Sequence, residues 1–137
     1  MQGYNLIMVC SPDRSKILFC ERVKEPYLGL INLPGGKIES SEDGLAAAYR
    51  ELFEETGITA EDIALRPLMD FIYHNQGCYV EVYAGRLKCD VAVRGEENPL
   101  FWSELDKDFF DPEKYAGEGN IGHMVMQLKL FGEGYLD

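Results

Sequence analysis

The chain is short of positive charge, of paired cysteines and of long apolar runs. Its 13 Lys and Arg stand against 24 Asp and Glu, for a formal net charge of -11. That balance argues against a surface built for nucleic-acid backbones or anionic membranes, because phosphate contacts of that kind need clustered Lys and Arg. Cys10, Cys20, Cys78 and Cys89 include no C-x-x-C pair, and three of them lie within strand-like apolar runs. They read as buried reduced thiols, not as a disulfide frame or a zinc site. No stretch approaches the roughly 20 apolar residues that span a bilayer, and no signal peptide opens the chain. The expectation is a soluble cytoplasmic protein, monomer or homodimer. Its 137 residues suit a single domain, 1–137, with a sizeable core.

What the chain has in quantity is carboxylate, concentrated between Gly36 and Ile58. Ser40 and Ser41 are candidate N-caps, Glu42 and Asp43 put negative charge at the positive end of a helix dipole, and Gly57 is a natural stop. These signals predict a helix of roughly four turns from Glu42 to Thr56. Advancing about 100° per residue gathers Leu45, Ala48, Tyr49, Leu52 and Phe53 on one side and Glu51, Glu54 and Glu55 on another. Ala47 falls in the acidic arc, where a small side chain leaves room for an ion. Like charges three and four residues apart repel, and a hard divalent cation such as magnesium or manganese would compensate them. The competing reading is a solvated helix face, the usual meaning of such a run. Arg50 beside Glu51 and four residues before Glu54 favours the site, as does the turn Leu33-Pro34-Gly35-Gly36-Lys37. Paired glycines there let the backbone approach an anion or offer a carbonyl to a metal.

Gly36, Glu42, Arg50, Glu51, Leu52, Glu54, Glu55, Gly57 and Ile58 fit the pattern G-x5-E-x7-R-E-U-x-E-E-x-G-U, where U is bulky and aliphatic. In this the segment resembles the signature of the Nudix hydrolases. The resemblance is strong from Leu30 to Ile58 and weak elsewhere. It implies an α+β Nudix fold, an α/β/α sandwich with a central mixed sheet, whereas pattern alone reaches only an α+β domain. It also implies hydrolysis of the diphosphate linkage in a nucleoside diphosphate joined to a further group, with Mg2+ or Mn2+ required and a small nucleotide as partner. Carried over by position, Glu51 and Glu55 would be the main metal ligands. Glu54 would share the metal or reach it through water, Arg50 would hold a glutamate in place, and Glu42 would sit at the edge. Gly35 or Gly36 would add a backbone ligand. The family also places an acid in a loop before an aromatic strand end; Glu96 and Glu97 precede Trp102 here, and Glu97 is favoured, against a merely solvated loop acid.

Leu30 to Lys37 is similar to the stretch in Nudix enzymes that remove oxidised purine nucleoside triphosphates, which makes Asn32 a candidate base reader. An amide donor and acceptor suit a purine edge, though Asn32 would serve equally to hold the turn before the glycines. Lys37 is a candidate phosphate contact or a solvated side chain. Tyr27, Phe71, Tyr73, Phe101 and Trp102 are candidates for base stacking, with core packing as the commoner fate of such residues. The rival substrates are ADP-ribose and nucleotide sugars, and the rival class is a nucleotide-sensing domain without turnover. Pro67 stands too near the box for the ADP-ribose pattern, and the full set of box glutamates speaks against a sensor. His74 and His123 receive no role.

Elsewhere the sequence predicts a hairpin from Tyr4 to Cys10 and Lys16 to Val23, and a second from Leu68 to His74 and Cys78 to Leu87. Leu100 to Trp102 reads as a strand end, Ser103 to Asp106 as the start of a short helix, and Val91 to Val93 as a patch of open status. A loop over Phe109 to Asn120 leads to a closing helix at Ile121 to Phe131, and Asn120 is its candidate N-cap.

Overall fold

The structure, a computed structural model, describes all of residues 1–137. Its strands are β1 (Gln2–Cys10), β2 (Lys16–Glu21), β3 (Ile31–Asn32), β4 (Gly35–Ile38), β5 (Arg66–Tyr73), β6 (Cys78–Arg86) and β7 (Leu100–Glu104); its helices are α1 (Gly44–Thr56) and α2 (Asn120–Tyr135). They build one mixed sheet in the order β3-β2-β1-β6-β5, with β4 added on β1 and β7 on β2. β1 runs parallel to β6, from Gln2 beside Cys78 to Cys10 beside Arg86, and antiparallel to its other partners.

The apolar run in β1 is continuous because both faces of the sheet are covered. Ile7 and Val9 pack with Leu18, Ala48, Leu52, Ile58 and Ile63 beneath α1. Met8 and Cys10 point the other way, into a cluster with Phe19, Val82, Ala84, Ile121, Met124 and Val125 beneath α2. The result is the expected α/β/α sandwich.

Several local expectations are corrected. α1 begins at Gly44, and Asp43 is its N-cap, accepting from the Ala46 amide at 3.3 Å. Ser40 and Ser41 lie outside it. Gly57 ends the helix in the left-handed region as expected, with φ 82°. The buried stripe is Ala47, Ala48, Leu52 and Thr56, whereas Leu45 and Phe53 are exposed. Ala47 thus seats the helix on the sheet and is not part of an open acidic arc. The residues Gly35 to Lys37, expected as turn, form most of β4 because their backbone pairs with β1. Ser103 and Glu104 continue β7 and start no helix, and Val91 to Val93 form no strand. α2 reaches Tyr135 across a kink at Glu133 and Gly134; its N-cap is Gly119, not Asn120. Of the cysteines, only Cys10 and Cys20 are buried; Cys78 is half-buried and Cys89 exposed.

Candidate active site

β4 and α1 set their functional groups against one another. The pairing of β1 with β4 places Asn5 opposite Gly36 and Leu6 opposite Gly35. α1 then crosses this strand so that Glu51 and Glu55, one turn apart, face the two glycines. The Gly35 N–H donates to Glu55 Oε2 at 3.3 Å. Gly36 lies directly under the Glu51 carboxylate: a Cβ on Gly36 would stand 2.5 Å from Glu51 Cδ and Oε2.

Arg50 holds the acidic edge together. Its Nε donates to Glu42 Oε2 at 2.6 Å and its Nη2 to Glu42 Oε1 at 2.8 Å, a bidentate pair. Its Nη1 donates to Glu51 at 3.1 Å and Glu54 at 3.2 Å, and Nη2 also reaches the Lys37 carbonyl at 3.1 Å. Glu42 accepts the Glu39 amide as well. The Arg50 hydrogen bonds, with that amide, hold the Glu42 carboxyl down at about 2. Hydrogen bonding to Glu42 in turn raises the Arg50 pKa.

Glu51 and Glu55 are shifted the other way. Burial raises the Glu51 carboxyl, against the lowering effect of Arg50. Burial pushes Glu55 up to about 7, and the nearby charges of Glu51 and Glu97 add to the rise. Glu97 therefore lies near enough to act on Glu55. It forms an ion pair with Lys24 at 2.7 Å, which lowers its own pKa, while Glu96 pairs with Arg94 at 3.4 Å. Glu54 is largely exposed and turned to Arg50.

Hard carboxylate oxygens, a partly buried pair whose burial raises both carboxyls and which a cation would compensate, and a backbone free of side chains make a donor set that fits a magnesium-sized cation. No group of three or more His, Cys, Asp or Glu is drawn into a closed ligand cage. The fit is that of an open site, with Glu51, Glu55 and backbone oxygen available and positions left for water or substrate.

Beside Glu55 opens a cavity of about 630 Å3 whose lining includes Asn32, Gly35, Gly36, Lys37, Tyr27, Phe71 and Tyr73. Three of the five candidate aromatics are thus gathered there. Phe101 stacks on Phe19 and Trp102 packs with the α1 core, so neither lies in that lining. Asn32 Oδ1 accepts the Leu33 amide at 2.8 Å, so it does hold its turn, while its Nδ2 has no protein partner. The sequence reading missed Asn5, whose carboxamide accepts the Gly36 amide. A lone polar residue leading the apolar run Leu6 to Cys10 was the available signal. It also missed that Glu118 accepts from Tyr27 across the chain and that Asn120 donates to Tyr73, contacts no local pattern encodes.

The NUDIX domain family model matches residues 2–124. Over 99 residues the chain is 30% identical to an ADP-ribose pyrophosphatase of Bacillus subtilis, 72% of this chain and 49% of that protein. Over 50 residues it is 44% identical to a putative 8-oxo-dGTP diphosphatase 2 of Mycobacterium tuberculosis, 36% of each. The matches therefore span half or less of these curated relatives' length. A structure from a study of MutT of Aliivibrio salmonicida and Vibrio cholerae superposes with a TM-score of 0.74 at 22% identity, covering 95% of this chain and 98% of the other. Since the matched stretch contains both the sheet that seats the two glycines and the helix that carries the glutamates, the chain belongs to the Nudix family of hydrolases.

Proposed function

We propose that this Nudix hydrolase is a magnesium- or manganese-dependent pyrophosphatase of purine nucleoside triphosphates, oxidised purines included. The observation that carries the reading is the meeting of Glu51 and Glu55 with Gly36 and Gly35 at the edge of a cavity that also contains three aromatic rings and Asn32. In this reading Glu51, Glu55 and the Gly36 carbonyl would hold the ion, and Glu54 would share it or reach it through water. When bound, the cation neutralises charge on the bridging phosphates and makes a water more acidic. Arg50 keeps Glu51 and Glu54 in place from the solvent side. Water oxygen bonds to one phosphorus of the linkage as the P–O bond to the departing pyrophosphate breaks, and the water's proton passes to a carboxylate among Glu54, Glu55 and Glu97.

The cavity supplies selection. Tyr27, Phe71 and Tyr73 offer apolar surface for a base, Asn32 keeps its Nδ2 donor for a carbonyl on the base edge, and Lys37 faces the phosphates. A second reading, hydrolysis of ADP-ribose or a nucleotide sugar, is favoured by the identity to the ADP-ribose pyrophosphatase. Full possession of the box glutamates favours turnover over nucleotide sensing.

The deciding experiment measures phosphate and pyrophosphate release from nucleoside triphosphates, oxidised purine triphosphates, ADP-ribose, sugar nucleotides and dinucleoside polyphosphates, with magnesium and with chelator. Chelator-sensitive release of pyrophosphate, strongest from a purine triphosphate, is expected. Preference for ADP-ribose or a sugar nucleotide would keep the chemistry and overturn the substrate. Tight nucleotide binding without turnover would establish a sensor.

A further inference from the structure

Asn5 is a buried polar residue in the middle of the sheet, 1% exposed. Side chains alternate along β1, so Asn5 points to the same face as Ile7 and Val9, which pack under α1. Its Oδ1 accepts the Gly36 N–H at 3.0 Å. That bond fixes which end of the carboxamide is which, because only the oxygen accepts. The Nδ2 end is therefore a buried donor, and it has no hydrogen-bond partner in the protein. Such a donor is costly, and Leu would fill the same place in the core without it.

The peptide that Asn5 holds is the one that seats a metal ligand. Gly36 Cα lies under the Glu51 carboxylate, and the preceding amide, that of Gly35, donates to Glu55. The Gly36 N–H belongs to the peptide joining Gly35 to Gly36, so rotation of that peptide swings the Gly35 carbonyl and moves the Gly36 Cα beneath Glu51, from which the Gly36 carbonyl extends. The backbone pairs with β1 hold the register of β4, and the Asn5 side chain adds to them a second anchor on the Gly36 amide from the α1 face.

We propose that Asn5 is a positioning residue of the metal site, its buried carboxamide fixing the tilt of the Gly36 peptide beneath Glu51. The inference rests on the metal-dependent reading given above. The role is indirect, since Asn5 touches the glycine and not the substrate.

The test uses Asn5→Leu and Asn5→Thr, both compatible with a buried strand, in the full chain stripped of metal. Mn2+ binding is followed by electron paramagnetic resonance of the free ion, and kcat and KM are measured with saturating Mg2+, alongside thermal melts. Residues that orient a metal's ligands cost on the order of 10- to 100-fold in affinity or activity when replaced. The expected result is a folded variant whose Mn2+ dissociation constant rises about tenfold or more, with a matching fall in kcat and little change in substrate KM. A folded variant with unchanged Mn2+ binding and kcat would overturn the role. Should Asn5→Leu fail to fold, Asn5→Thr carries the same two outcomes. A fall in melting temperature with Mn2+ affinity and kcat intact would assign Asn5 to stability alone and equally overturn it. If the unaltered protein neither binds Mn2+ nor turns over, the metal-dependent reading falls first, so the two failures are distinguishable.

Discussion

Glu51 rests on Gly36: the glycine Cα supports the carboxylate so closely that a single added methyl would stand 2.5 Å from its carbon. The atom in the way is the end of a flexible side chain, so the backbone survives the substitution and Glu51 must rotate aside. Gly36→Ala should therefore break the 3.1 Å bond from Arg50 to Glu51 and lower kcat on the order of 100-fold, as displacements of about 1 Å do in active sites. The melting temperature should change by only a few degrees. A fully active Gly36→Ala protein would remove Glu51 from the ligand set.

Glu55→Gln is expected to lower turnover by orders of magnitude while stabilising the metal-free fold at high pH. Burial first, and Glu51 and Glu97 next, raise the Glu55 carboxyl from 4.5 to about 7. The folded state thus keeps a proton that the unfolded state releases at lower pH. The stability this proton confers is complete below about 4.5, declines as pH rises toward about 7 and is gone above it. In chelator, the unaltered protein should lose melting temperature across this window, and Glu55→Gln should lose less. Parallel pH profiles for the two proteins would refute the assignment.

Arg50→Lys should fail to conserve function. The guanidinium meets Glu42 through two nitrogens and reaches Glu51, Glu54 and the Lys37 carbonyl, a fan that an ammonium on a flexible stem does not reproduce. Activity should fall about 10- to 100-fold and the metal concentration for half-maximal rate should rise. Retention of wild-type kinetics would reduce Arg50 to a surface charge.

Thiol reactivity should sort by position. Burial pushes Cys10 up to about 11 and Cys20 up to about 12, so neither presents thiolate near neutral pH. Iodoacetamide on the native protein should label exposed Cys89 first and Cys78 more slowly, with Cys10 and Cys20 modified only after denaturation. Mass spectrometry after timed quenching reads the order, and early labelling of Cys20 would mean that the sheet beside the cavity opens readily.

The sequence made the acidic helix legible because its signals are local. Gly57 stops it, and Glu51, Glu54 and Glu55 sit at spacings that speak without tertiary context. The same holds for the β5–β6 hairpin around Gly77, where the chain needs φ of 65°. β4 was illegible because Gly35 and Gly36 have no strand propensity of their own; pairing with β1 imposes the conformation. The buried stripe of α1 was misjudged in its width. Ala47, Ala48, Leu52 and Thr56 allow a close approach to the sheet, which leaves Leu45 and Phe53 outside the contact. Asn32 showed its turn-holding role and its free donor together, two uses that sequence alone set against each other. Asn5 and the Tyr27–Glu118 contact depend on partners remote in the chain, for which no periodicity exists.

The placement of β1 between β4 and β6 also governs when the fold can close. Gln2 to Cys10 find their parallel partners only far later in the chain, in Cys78 to Arg86. Long-range parallel pairing of this kind delays folding, because the loop must close before the contacts repay it. The acidic helix can wind while β1, already able to pair with β2 and β4, keeps open the edge that will meet β6. The sheet beneath the candidate site is in this sense completed late, by the arrival of β6, a strand that carries none of the box glutamates.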